Sequence, residues 1–244
     1  MKRLHSRRHS GQWHRAALAA LLAVLAIGLF NAGDAARAQG SHAGHNHGPA
    51  PAVSDVDAAE VAKPGDLPEI VLGKADAPIT IIEYASITCG HCGRFHRELL
   101  PEVKKKYIDT GIARMFVREF PLESVAAASA LLVRCSKPDV QYKFLETLFE
   151  RQQQWLQGND VRDELVEIAK EFGFTETTFE SCLKDEALFE KVVGVRTRAN
   201  KEFGVKSTPT FFINGKALVG PQSIEEFDEI IGPLRAEAKT KTTK

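Results

Sequence analysis

Two cysteines three positions apart, Cys89-Gly90-His91-Cys92, stand directly behind the β-prone run Ile79 to Ile87 (ITIIEYASI) and open a helical pattern. That order admits few folds. The run is apolar on both faces, as a central strand must be. A helix is predicted from about Cys89 to Tyr107, because Phe95, Leu99, Val103 and Tyr107 recur every four residues on one face. Pro101 interrupts its hydrogen-bond ladder and predicts a kink. Ile112 to Phe120 (IARMFVREF) reads as the next strand, giving β-α-β.

Two thiols spaced this way in a first helical turn lie on one side and can close a disulfide. The helix start offers unpaired N–H groups and a partial positive charge of about half a unit. Both favour a thiolate at Cys89, the first and more exposed cysteine, and a protonated or N–H-donating His91 favours it further. Stabilising the reduced thiolate raises the reduction potential, so position makes the pair oxidising. Glu83 shares strand parity with Ile79, Ile81, Ala85 and Ile87, which puts an ionisable group on a packed face beneath the helix start. There it can exchange a proton with the inner cysteine, Cys92. The alternative is a solvated glutamate on an exposed edge. Further on, Ser207-Thr208-Pro209-Thr210 precedes a strand, and by itself reads as an ordinary strand-opening proline, with a cis bond as the alternative.

The remaining chain frames this centre. Among 244 residues, 32 Lys+Arg balance 32 Asp+Glu, but the first 38 hold six basic residues and one acid. The rest carries 26 positive and 31 negative charges, a net of −5, which argues against a nucleic-acid-binding surface. Residues 1–38 read as a signal peptide. Ala16 to Phe30 is an uncharged apolar run behind a basic stretch, with a small-residue site at Ala36-Arg37-Ala38. Fifteen helical residues cover about 22 Å, short of a hydrocarbon core of about 30 Å, so cleavage after Ala38 is expected rather than anchoring. Arg7-Arg8 lacks the apolar residues that follow a twin-arginine signal and counts as part of the basic stretch. Residues 39–66, rich in Gly, Ala, Pro and Asp, are expected to form a flexible arm, in which His42, His45 and His47 are either a polar tether or a metal trap.

The folded part is expected to begin at 67, with a short strand at Ile70 to Leu72 and a first α/β portion over 67–120. Residues 121–203 are helical in pattern and too many for a simple crossover, so they make an inserted helical subdomain, ending in two shorter helices around Cys182 and Val193. A second portion over 204–238 holds a hairpin, Thr210 to Asn214 and Ala217 to Val219, joined by Asn214-Gly215-Lys216, then a last helix from about Ser223. Residues 239–244 are expected to fray. Cys135 and Cys182 both fall in the insertion without a CxxC context. An inert structural disulfide is the main reading, against two separate buried thiols or a second redox site.

Taken together, the apolar leader, EYASITCGHC, the helical insertion and STPTFFING followed by a helix resemble the DsbA-type thiol:disulfide oxidoreductases of the thioredoxin superfamily, over roughly Leu67 to Leu234. The resemblance implies an α/β thioredoxin fold with an inserted helical subdomain. It makes Cys89 the nucleophile, Cys92 the resolving thiol, Glu83 the buried acid and Pro209 a cis-proline facing the disulfide. Thr208 helps hold an extended substrate segment. It also implies exported proteins with reduced cysteines as substrates, and reoxidation by a membrane partner that passes electrons to quinone. Gly90-His91 departs from the Pro-His of the best-known members and is the pair familiar from protein disulfide isomerases. No flavin or nicotinamide motif is visible, so no cofactor is expected and the protein itself carries the redox equivalents. Because residues 39–66 show no association segment, a monomeric oxidase is expected rather than an isomerase or reductase.

Rivals from other classes are weaker. Cys89, Cys92 and His96 have zinc-ligand spacing, but only one CxxC exists, and no metal site is expected. Gly93 occupies the place of the histidine that covalent haem attachment requires. A chaperone-like binding module would need neither thiol.

Overall fold

In the computed structural model, residues 53–221 and 223–242 are described. The leader, its cleavage site and the three arm histidines lie outside them. Five strands form one sheet in the order β1-β3-β2-β4-β5: β1 (Ile70–Leu72), β2 (Ile79–Ala85), β3 (Ala113–Glu119), β4 (Thr210–Ile213) and β5 (Lys216–Val219). β2 and β3 are parallel and all other pairs antiparallel, so β2 is the central strand, with Glu83 between Val117 and Phe211. β4 and β5 are joined through Asn214 and Gly215, both at positive φ, the conformation a tight hairpin turn demands.

The helices are α1 (Ala58–Ala62), α2 (Gly90–Arg94), α3 (Leu100–Val103), α4 (Ser124–Cys135), α5 (Gln141–Glu150), α6 (Gln152–Gln157), α7 (Val161–Glu171), α8 (Glu176–Leu183), α9 (Glu186–Phe203) and α10 (Ile224–Thr242). α2 and α3 belong to one helical stretch that includes π-turns at Phe95–Leu99 and Lys104–Ile108. The first of these sends the Leu100 N–H back to the Phe95 carbonyl. Widening the helix just ahead of Pro101 accommodates a residue that has no N–H and crowds the preceding turn.

Strand parity divides the core. Ile79, Ile81, Ala85 and Ile87 of the β2 segment pack with Phe95, Leu100 and Val103, with α10 and with most of the insertion. Ile82 and Tyr84 face the other way, against Phe203 and Val61. The insertion runs from α4 to α9 with side-chain caps at Glu123, Asp160, Thr175 and Asp185, and Gly204 in the left-handed conformation closes α9. Where the sequence suggests a short helix around Val193, α9 is a single helix of 18 residues.

Two boundaries differ from the sequence expectation. Residues 53–66 are not a flexible arm. Val61 is only 1% exposed, and the Arg118 guanidinium donates to the carbonyls of Val61 (2.7 Å) and Lys63 (3.3 Å) while pairing with Glu69. Val56 N–H donates to the Gly215 carbonyl at 2.9 Å, and Asp55 accepts from the Ala217 N–H and Lys216. At the other end α10 continues to Thr242 rather than fraying at 239. Among the described residues, no helix is long and apolar enough to cross a membrane.

Candidate active site

Cys89 is the N-cap of α2, with extended backbone (φ −72°, ψ 120°), because β2 ends just before it and the chain must turn into the helix. Its sulfur is partly exposed and lies 3.3 Å from the Thr208 carbonyl. Cys92, one turn on, is fully buried, and both cysteines are free thiols. Their environments push them apart. The Cys92 thiol donates to the Cys89 sulfur and, with the backbone N–H groups of Cys92 and His91, lowers the Cys89 pKa to about 5 against partial burial. Burial pushes Cys92 well above an ordinary thiol, helped by that same hydrogen bond and by the negative charge of Glu83. His91 therefore acts on Cys89 through its main chain, while the residue itself is exposed.

Glu83 is 0% exposed, so the edge alternative does not hold. Its Oε2 lies 2.9 Å from Nε2 of His96, a residue noted from sequence only as a possible zinc ligand. The His96 ring stacks on Phe149 of the insertion, with centroids 4.0 Å apart. Among the described residues no group of three or more His, Cys, Asp or Glu is placed to hold a metal ion.

The Thr208–Pro209 peptide is cis. Thr208 is buried, and its hydroxyl has no hydrogen-bond partner among the described residues. Beside it a groove of about 420 Å³ is walled by His91, Arg94, Phe95, Leu99, Pro209 and Pro221. Sequence reasoning also missed Gln152, 2% exposed at the start of α6, whose carboxamide reaches the turn that carries Cys89. A glycine inside a helix, Gly93, was the available signal of a close approach there. Cys135 and Cys182 do not join this centre; they form a disulfide between the ends of α4 and α8.

Residues 66–232 match the Thioredoxin family. A protein of Rickettsia bellii named as a protein-disulfide oxidoreductase is 33% identical over 175 residues, which is 71% of this chain and 67% of that one. Disulfide bond formation protein D of Bacillus subtilis is 27% identical over 179 residues, 70% of this chain and 78% of that protein. The chain spans 54–67% of the length of the Rickettsia relatives it matches. The crystal structure of Wolbachia pipientis alpha-DsbA1 superposes with a TM-score of 0.68 at 30% identity, covering 77% of this chain and 100% of that one.

Proposed function

This chain belongs to the DsbA-type thiol:disulfide oxidoreductases of the thioredoxin superfamily, and from that membership we propose that it introduces disulfides into exported proteins through Cys89 and Cys92. In the oxidised enzyme a substrate thiolate attacks the Cys89 sulfur. The Cys89–Cys92 bond breaks, a mixed disulfide forms, and Cys92 leaves and takes up a proton. Glu83, buried beside it, is the acid in this reading. A second substrate thiolate then attacks the substrate sulfur and expels Cys89 as a thiolate. The substrate departs with a new disulfide and the protein retains two electrons.

The observation that carries this reading is the place of the Cys89 sulfur, at a helix start and hydrogen-bonded by the buried Cys92 thiol, an arrangement that lowers its pKa. An anion held this way is a good leaving group, and stabilising the reduced form makes the oxidised protein a favourable electron sink. Thr208 and Pro209 supply the surface against which an extended substrate segment lies, and the Thr208 carbonyl already faces the reacting sulfur. Reoxidation falls to a membrane partner linked to quinone, and export follows from the leader. The Cys135–Cys182 bond suits an oxidising compartment.

Equilibration with glutathione redox buffers tests the assignment, together with parallel assays of reduced-substrate oxidation and scrambled-substrate rescue. An oxidase poises well above the most reducing thioredoxins and favours the first assay. Isomerase activity is the second reading, favoured by the Gly90-His91 pair. Light scattering separates the two further: a monomer fits the oxidase, and a stable dimer or trimer with scrambled-substrate rescue fits the isomerase. Full activity of Cys89→Ser would replace both with a binding module.

A further inference from the structure

The carboxamide of Gln152 spends both of its N–H donors on the active-site turn, giving one to the Ile87 carbonyl at 2.7 Å and the other to the Cys89 carbonyl at 2.9 Å. The amide orientation follows from this pairing, since a flipped amide would set its oxygen against two carbonyl oxygens. The Cys89 carbonyl also accepts the Gly93 N–H at 3.0 Å, so both of its lone pairs are engaged. Gln152 Oε1 then lies over Gly93, where an added Cβ would approach it to 2.1 Å. Gly93 is buried within α2 and makes no left-handed demand, so its lack of a side chain serves space rather than conformation.

Gln152 belongs to the helical insertion, 63 positions beyond Cys89. Its own place is fixed by the junction of α5 and α6, where the Arg151 N–H bonds to the Thr147 carbonyl and the Arg151 guanidinium pairs with Glu171 of α7. Two carbonyls on either side of Thr88 are thereby clamped from outside the thioredoxin portion. They bracket the turn that aims the Cys89 sulfur at Thr208 and at the N–H groups of the helix start.

We propose that Gln152 is a positioning residue through which the helical insertion holds the Cys89 turn in its reactive geometry, with Gly93 leaving room for the clamp. The inference rests on Cys89 being the attacking thiol. It is tested on the full-length reduced protein by following Cys89 alkylation by iodoacetamide, and the ultraviolet absorbance of its thiolate, across pH. Gln152→Ala and the similar-sized Gln152→Met should raise the titration midpoint and slow alkylation at acid pH by about fivefold or more, the loss of roughly one net hydrogen bond. Gly93→Ala should do the same by displacing the carboxamide, and adding Gln152→Ala to it should cause little further loss, since both remove one interaction. Gln153→Ala, on the exposed side of α6, should leave the midpoint in place. Midpoints unchanged in both Gln152 variants, even with lowered Tm, would reduce Gln152 to a folding contact and overturn the proposal, as would additive losses in the double variant. An ordinary thiol midpoint in the unsubstituted protein would overturn the functional reading itself.

Discussion

Glu83 and His96 face each other across the core, Oε2 to Nε2 at 2.9 Å, with their side chains 0% and 1% exposed. The remaining polar atoms, Glu83 Oε1 and His96 Nδ1, have no partner among the described residues. Replacing one member strands the other in an apolar setting.

Glu83→Leu and His96→Leu should therefore each destabilise the protein by about 3 kcal/mol, and the double variant by clearly less than the two together. Urea denaturation of the four proteins provides the cycle. Additive losses would show that the contact is energetically idle.

The reduced protein should gain stability relative to the oxidised form as pH rises from about 5 to about 9. In the folded state Cys89 is held down to about 5 from an ordinary value of 9.0. A group lowered in this way contributes its full stabilisation above the unfolded value and loses it as pH falls through the folded one. Cys92 is pushed upward and stays protonated through this window. Thermal melts of both redox forms at the two ends should show a gap that widens in favour of the reduced form at high pH. A constant gap would contradict the lowered Cys89.

Gly90→Pro should be tolerated, and should stabilise by about 0.4–1 kcal/mol through the unfolded chain. Gly90 is the first residue of α2, a side chain there would meet nothing within 4 Å, and Cys89 before it already has the extended backbone that a following proline requires. The N–H groups directed at Cys89 are those of His91 and Cys92, so the Cys89 titration should move little. Chemical denaturation and the alkylation profile check both halves.

Replacing Cys135 and Cys182 by alanine opens a loop closed across 47 positions. Chain entropy puts the loss at about 4 kcal/mol as an upper figure, with about 2 kcal/mol a realistic floor. The Cys89 midpoint should stay where it is. A shift in that midpoint, measured by alkylation of the double variant, would mean that the second pair communicates with the first.

Much of this centre is legible in the chain because its determinants are local. The parity of Ile79, Ile81 and Ala85 places Glu83 inward, and the strand preceding Cys89 makes it an N-cap. What is not legible depends on partners far away in sequence. Val56 and Val61 are too sparse to form a period among Pro, Ala and Asp, and residues 53–66 are held by Arg118 and the β4–β5 turn. Gln152 sits in a run of three glutamines that reads as solvent-facing until the carbonyls it reaches are known. His96 falls on the helix face where a metal ligand and a core partner look alike.

The tie between Val56 and Gly215 settles where force applied to the chain would arrive. β4 begins beside the cis Thr208–Pro209 peptide and ends at Ile213, and the N–H of Asn214 just after it meets the Thr80 carbonyl near the start of β2. The backbone ahead of Ala58 is thus moored at the end of the sheet remote from Cys89, about 13 Å along β4. A pull transmitted through residue 53 therefore reaches the sheet at that far corner.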